Sequence, residues 1–457
     1  MVRKFGLLSV LLLVLIGMAL PTAAQDDPYA DVDPSGQTIV FWHQHSGARE
    51  EELMRIIETF NETNEFGITV EAINQGGYDE IFERVTTNIA AGDQEALPEL
   101  VVAYGNQSAT YDLVGDLVDI SLFVESPTWG LSEEELNDFF ASFLAADVIA
   151  TSNNELLGFP PNRSMEVMYY NADWLAELSE AGAISFDGPP TTPEQFREAA
   201  CAATANAFSG ATTDTAPIGY QLSYDASRLA SWTFAFGGDI FDYEAGEYNF
   251  DGEATVEAMT FLRDLGVEGC AGEIFERFGD QANFGNGATL FTVGSSSGLP
   301  FYATAVESGA NFDWSVAAVP YVTEEPVMNI YGASVSIPAS TPEAELAAWI
   351  FMQYYTTPEV QNDWARASNY FPVRASVAEN LEDYFAENAA YGTAFELLQF
   401  GATEPQVPGY DPVRAAAAET MAAIFTGLDD RPVEEVLAEL NEFANEELEL
   451  AMEAVEN

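Results

Sequence analysis

The stretch Gly158-Phe-Pro-Pro-Asn-Arg-Ser-Met-Glu-Val-Met-Tyr-Tyr-Asn171 lies about a third of the way along the 457-residue chain, and the rest reads as two bodies hung on it. Its two prolines cannot donate to a strand ladder and stiffen its start, while Val167-Met-Tyr-Tyr170 closes it as an apolar strand. An extended segment of this composition suits a crossover between two lobes. Ser164, in its middle, would then face whatever the lobes enclose.

On the N-terminal side, strand and helix periods alternate. Thr38-Ile-Val-Phe-Trp42 is a strand pattern ending at His43-Gln-His-Ser-Gly47, and Leu53, Ile56, Ile57 and Phe60 then fall at i, i+3, i+4 and i+7. Ile68 to Ile73 is a second strand running into Asn74-Gln-Gly-Gly-Tyr78, followed by Ile81, Val85 and Ile89 on one helix face. A third strand, Leu100 to Tyr104, runs into Gly105-Asn-Gln-Ser108. This order implies a mostly parallel sheet, whose ligands sit beyond the carboxyl ends of its strands. His45, Tyr78 and Asn106 lie at those ends.

A second α/β series follows the crossover. Thr192-Pro-Glu-Gln195 supplies a cap, a first-turn proline and a Gln at the third helical position, starting a helix that runs through Cys201. Ile218 to Tyr224 and Trp232 to Phe236 lead into Gly237-Gly-Asp-Ile-Phe241. Ala288 to Val293 is a strand ending in Gly294-Ser-Ser-Ser-Gly298, Trp314 to Val319 is another, and Val327 to Ile337 reads as a second crossing. The remainder, from Thr341-Pro-Glu onward, is helical. The expected division is a signal over 1–24, an acidic leader over 25–37, one lobe from 38–159 with 291–330, and the other from 160–290 with 331–457.

Composition narrows the class. Arg3 and Lys4, the apolar run Phe5 to Leu20, and the small residues before Gln25 read as an export signal, too short for a spanning helix. Removing it leaves 12 cations, all arginine, against 75 carboxylates, a net charge of −63. Acid spread over the whole surface suits saline or crowded acidic media and repels nucleic acid and anionic membranes. The two cysteines, Cys201 and Cys270, in an exported chain are expected to form a disulfide, whose loop would contribute roughly 3–4 kcal/mol. No D-x-[DN]-x-[DN]-G calcium loop, G-x-S-x-G elbow or H-E-x-x-H pair is present. His43 and His45, the only histidines, share a strand face without a third ligand at recognisable spacing, so one is expected in the packing and one at the cleft.

The pieces Phe41-Trp-His43, Gly77-Tyr78, Phe159-Pro-Pro-Asn-Arg-Ser164 with Tyr169-Tyr-Asn171, Ser295-Ser296, Gly332-Ala-Ser334 and Asn369-Tyr-Phe-Pro372 together resemble the bacterial extracellular solute-binding proteins of carbohydrate-type ABC importers, nearest the glycerol-3-phosphate-binding branch. The resemblance spans nearly all of the mature chain. It implies an α/β clamp of the periplasmic-binding-protein type, each lobe a mostly parallel sheet flanked by helices, joined by hinge crossings. It also implies that Tyr78, Ser164, Ser295 or Ser296, Gly332 and Tyr370 contact ligand, with Tyr224 and Trp232 near an aromatic wall. Two positions depart from the branch: Gly105 stands where it has an acidic residue, and Gln406 where it has a phosphate-pairing arginine.

Aromatic rings suit sugars because axial C–H groups meet the ring face while hydroxyls bond at its rim. Tyr78, Trp232 and Tyr370 are candidates for that role, each with core packing as the alternative. The expected protein is a cofactor-free, monomeric, exported receptor, not an enzyme. It would capture a sugar, oligosaccharide or polyol glycoside and present it to an ABC permease near the outer face of the cytoplasmic membrane. Glycerol 3-phosphate or a glycerophosphodiester is the alternative ligand, and a secreted glycan-acting enzyme or an adhesin the rival classes.

Overall fold

The computed structural model describes residues 27–113, 117–274, 278–429 and 431–456. The expected export signal, residues 1–24, lies outside them. The leader is pinned rather than loose: Tyr29 is buried, its hydroxyl donates to Glu345 Oε2 at 2.6 Å, and its carbonyl accepts from Trp129 Nε1 at 2.8 Å.

The strands in chain order are Thr38–His43 (β1), Thr69–Asn74 (β2), Leu100–Ala103 (β3), the short pair Val148–Ile149 (β4) and Glu155–Leu156 (β5), Ser164–Asn171 (β6), Ile218–Leu222 (β7), the hairpin Phe241–Asp242 (β8) and Glu247–Tyr248 (β9), Ala271–Glu273 (β10), Thr289–Ser295 (β11), Trp314–Ala317 (β12), Met328–Tyr331 (β13), Ser334–Ser336 (β14) and Gly401–Ala402 (β15). They form two main sheets. The first has the order β14-β3-β1-β2, with β1, β2 and β3 parallel and β14 antiparallel. The second has the order β10-β7-β11-β6-β13-β15, with β12 also paired to β6.

Local pattern explains the first lobe. Along β1 the residues Ile39, Phe41 and His43 alternate inward, and the helix Ala48–Thr63 buries Leu53, Ile56, Ile57 and Phe60, the stripe its sequence shows. Each such side chain, fully buried, contributes about 1.5–3 kcal/mol. In the second lobe the helix Pro193–Ala205 starts where expected, with Thr192 accepting from Gln195 N, and Cys201 is disulfide-bonded to Cys270 across a Cα–Cα distance of 4.5 Å.

The lobe boundaries differ from the expectation. The sequence places residues 291–330 in the first lobe, yet β11 is parallel to β7 and antiparallel to β6, and β12 and β13 both pair with β6, so these strands belong to the second sheet. The chain returns to the first lobe only after Tyr331, where β14 pairs with β3, and the helices Pro342–Tyr355 and Pro358–Ser368 then pack on β1 and on the helix Ala48–Thr63. The crossing read over Val327 to Ile337 is therefore real: β13 lies on one sheet and β14 on the other. Trp232 to Ala235 ends a helix, Ala226–Ala235, which Phe236 caps before the Gly237 turn.

Both crossings are fastened by one side chain. Arg163, just before β6, donates through Nη1 to Gly332 O at 3.0 Å and Ser334 Oγ at 2.8 Å, and through Nη2 to Phe143 O at 2.8 Å and Asp147 Oδ2 at 2.7 Å. Gly332 has φ +148°, a backbone conformation that suits glycine, and a Cβ there would lie 3.3 Å from Arg163 Cα.

Candidate functional site

Tyr104 closes β3 and precedes the helix Gly105–Asp112, so the first turn of that helix aims Asn106 and Gln107 between the lobes. Asn106 Nδ2 donates to Asp411 Oδ2 at 2.7 Å and Gln107 Nε2 to Asp411 Oδ1 at 3.1 Å, tying the first lobe to the helix Tyr410–Thr426 of the second. Opposite them stand β6, the end of β11, the start of the helix Ala226–Ala235, and the loop carrying Glu404 and Gln406. Together they enclose a cavity of about 250 Å³, reached by Tyr104 and Asn106 from the first lobe and by Glu166, Asp225, Arg228, Ser295, Tyr331 and Arg414 from the second.

The cavity wall is a charge network. Arg228 Nε donates to Val293 O at 3.0 Å and faces Glu166 Oε2 at 3.8 Å, while its Nη1 lies 3.7 Å from Asp225 Oδ1. Arg414 pairs with Glu404, donates to Ser227 Oγ at 3.1 Å and lies 3.6 Å from the same Asp225 oxygen. Glu404 also accepts from Asn329 Nδ2 at 3.0 Å and from the Tyr410 hydroxyl at 2.7 Å. Burial pushes the Asp225 carboxyl up, but Arg228, Arg414 and hydrogen bonds from Ser227 together more than offset it and leave it below the usual range. Burial raises Glu166 despite Arg228 and the Tyr331 hydroxyl, which donates to Oε1 at 2.5 Å. Glu166 Oε2 has no hydrogen-bond partner among the described residues, although its side chain is only 1% exposed. A buried carboxylate oxygen of this kind is an acceptor waiting for a donor.

Beside the charged wall stands an aromatic cluster. The Tyr78 ring lies 4.8 Å from that of Tyr104, and its hydroxyl accepts from Gln44 Nε2 at 2.8 Å. The Arg49 guanidinium sits 4.5 Å above the ring of Tyr370 and reaches across to Ser297 O at 2.8 Å in the second lobe. His45 packs edge-on to Trp364 at 5.0 Å, and burial, then His43 and Arg49, lower its pKa to about 3. Both histidines are buried, so neither lies open at the cleft.

Asn106 and Ser295 thus line the cavity, and Tyr78, Tyr370 and His45 stand behind Tyr104 in the adjoining cluster. Ser164 is one step from the cavity, its Oγ donating to the carbonyl of the cavity residue Tyr331 at 3.2 Å. Ser296 is buried with Oγ accepting from Met165 N at 3.1 Å, and Gly332 forms the crossing. Two residues are not brought to the site. Trp232 has no exposure and packs among Phe196 and Phe261, with centroids 5.6 and 5.7 Å away, because its helix turns this face into the second lobe's core. Tyr224 points away too, donating to Glu273 Oε2 at 2.9 Å beside Phe425.

Sequence reasoning placed Tyr104 at the ligand-facing end of the third strand but passed over Glu166, Asp225, Arg228, Tyr331 and Glu404. Glu166 did carry a signal: it is a lone carboxylate inside the apolar run Met165 to Tyr170. The two departures noted in the sequence meet here. A Cβ on Gly105 would lie 2.1 Å from Gln406 Oε1, so Gln406 occupies the space that a side chain at position 105 would take.

The family described as bacterial extracellular solute-binding protein matches residues 55–393. The sn-glycerol-3-phosphate-binding periplasmic protein UgpB of Yersinia pseudotuberculosis is 21% identical over 408 residues, covering 85% of this chain and 88% of that protein. Among solved structures, the GacH receptor of Streptomyces glaucescens, determined unliganded and with acarbose and an acarbose homolog, superposes with TM-score 0.73 at 17% identity, over 90% of this chain and 98% of that one. UgpB of Mycobacterium tuberculosis in complex with glycerophosphocholine superposes with TM-score 0.70 at 21% identity, over 91% and 99%.

Proposed function

Because this chain belongs to the bacterial extracellular solute-binding proteins, we propose that it is the extracytoplasmic receptor of an ABC importer and closes its two lobes on a carbohydrate-like solute in the charged cavity. The observation that carries the ligand class is the cavity wall itself. Carboxylates and guanidiniums alternate there as planar acceptors and donors, and one buried Glu166 oxygen, 3.8 Å from Arg228 Nε, has no hydrogen-bond partner among the described residues. Vicinal hydroxyls, each donor and acceptor at once, complete such a wall. Tyr104, backed by Tyr78, supplies a ring face beside it. Among the described residues no helix is long and apolar enough to cross a membrane, in keeping with a receptor that delivers to a separate permease.

Charge balance favours a neutral sugar or polyol over a phosphate. Three carboxylates, Glu166, Asp225 and Glu404, line the cavity against two guanidiniums, and both guanidiniums are committed to them. A phosphate would have to displace these pairs, and Gln406 offers it no charge. Ligand shifts the lobes toward closure only by its differential affinity for the closed state, and a micromolar solute has about 8 kcal/mol of net binding free energy.

The test is a thermal-shift screen over neutral sugars, polyols and their phosphates at several salt concentrations, with product analysis. Stabilisation by neutral members without turnover, lost in Glu166→Gln and Arg228→Gln, is expected. Stabilisation by glycerol 3-phosphate alone overturns the neutral-ligand reading, and turnover overturns the receptor.

A further inference from the structure

Next to the charged cavity lies a second hollow of about 370 Å³ whose character is opposite. Its walls are Ala145, Ala146, Val148 and Ala150 from the first lobe, Phe241 and Tyr243 from the second, Val407 from the connecting loop, and Leu448 and Met452 from the helix Val433–Glu456. The polar contribution is limited to Thr151, Thr403 and Gln406, and among the described residues the lining carries no charge. In a chain with net charge −61 that is an unusual surface.

The hollow is open, and its apolar groups face solvent: Tyr243 is 61% exposed, Val148 38% and Met452 37%. Tyr243 is also held in place. It tops the β8–β9 hairpin, where Asp242 Oδ1 accepts from Glu244 N at 2.9 Å and Ala245 N at 3.0 Å and Gly246 takes φ +73°, and its ring stands edge-on to Phe241 at 5.1 Å. A fixed ring exposed opposite an aliphatic wall is a platform. Gln406 lines both this hollow and the charged cavity, so the two are neighbouring compartments of one interlobe cleft.

We infer that this hollow is an apolar subsite for the alkyl or aryl end of the same solute whose hydroxylated end occupies the charged cavity, making the ligand class a glycoside or an amphiphilic polyol. The inference rests on the sugar-cleft reading above. An apolar cavity of roughly 150 Å³ already holds a benzene ring, so the space is ample for an aryl group. Because both lobes supply walls, filling the hollow also favours the closed form.

The experiment is calorimetric titration with methyl and phenyl glucosides and galactosides. In the wild-type protein a phenyl glycoside should bind about tenfold tighter than its methyl partner, equivalent to about 1.4 kcal/mol. In Tyr243→Ala, and separately in Val148→Ser on the opposite wall, that gain should vanish while methyl-glycoside affinity stays unchanged. Equal affinity of the pair in the wild-type protein, or a gain that survives both substitutions, overturns the apolar subsite and leaves the sugar cleft standing. No binding by any of the four probes overturns both.

Discussion

Arg163→Met removes the side chain that fastens the two lobe crossings to each other. The guanidinium is 1% exposed and its partner Asp147 4%, with 2.7 Å between them, and the same group donates to the carbonyls of Phe143 and Gly332 and to Ser334 Oγ. Methionine keeps most of the apolar stem but leaves Asp147 buried with the Ser334 hydroxyl as its remaining donor, at 2.6 Å. Removing one member of a buried ion pair costs about 3–5 kcal/mol, chiefly through the charge left uncompensated. Replacing both members by apolar residues, Arg163→Met with Asp147→Leu, removes the stranded charge and should recover at least about half of that. Urea denaturation followed by tryptophan fluorescence, with the m-value checked for constancy, measures each variant. A single-variant loss below about 1 kcal/mol, or a double variant as unstable as the sum of its singles, would refute the assignment of Arg163 as a charged fastening of the hinge.

Three further outcomes follow from the same structure. His45 is held neutral with a pKa of about 3, below the ordinary value of 6.5, so between those values the unfolded chain binds a proton that the folded chain does not. Its contribution to stability therefore falls as pH drops through that window, by about 1.4 kcal/mol per pH unit, and urea titrations from pH 6.5 to 5 should show a shallower loss in His45→Phe than in the wild-type protein. Opening the Cys201–Cys270 bond, which closes a separation of 69 residues, should cost roughly 3–4 kcal/mol, measured by denaturation of the Cys201→Ser, Cys270→Ser variant; an unchanged midpoint would contradict it. Gly105→Ala should cost about 1–3 kcal/mol by pressing on the Gln406 amide, and Gln406→Ala should restore most of the loss; a cost indifferent to residue 406 would place the strain elsewhere, Ala146 O at 3.1 Å being the next contact.

What the sequence made legible was local. β1 and the helices that follow β1 and β2 carry their faces in their own spacing, and the Thr192-Pro193 cap states where its helix begins. Sheet membership is not local. β11 is buried on both faces and so has no amphipathic pattern, and nothing in its apolar residues says that it lies between β6 and β7 rather than in the first lobe. Trp232 misled for a related reason: its ring suits a sugar, but Leu229, Trp232 and Ala235 share the helical face that packs into the core. The charged wall was hidden by distance, since Arg414 meets Ser227 across 187 residues.

Gly105 and Gln406 are legible in the sequence as two separate departures but not as neighbours. Taken one at a time, each is the loss of a charged side chain expected at that position, one acidic and one basic. In the folded protein they are a single change, because the glutamine amide fills the volume that the glycine leaves. The Gln406 amide is neutral, and its Nε2 is turned to the Glu404 carbonyl at 2.8 Å. That amide is also the boundary between the charged cavity and the apolar hollow. A charged pair at this boundary would set a desolvation cost against any ligand spanning both compartments, and a neutral amide sets a much smaller one. The same two residues that argue against a phosphate therefore argue for a solute with a hydroxylated end and an apolar end.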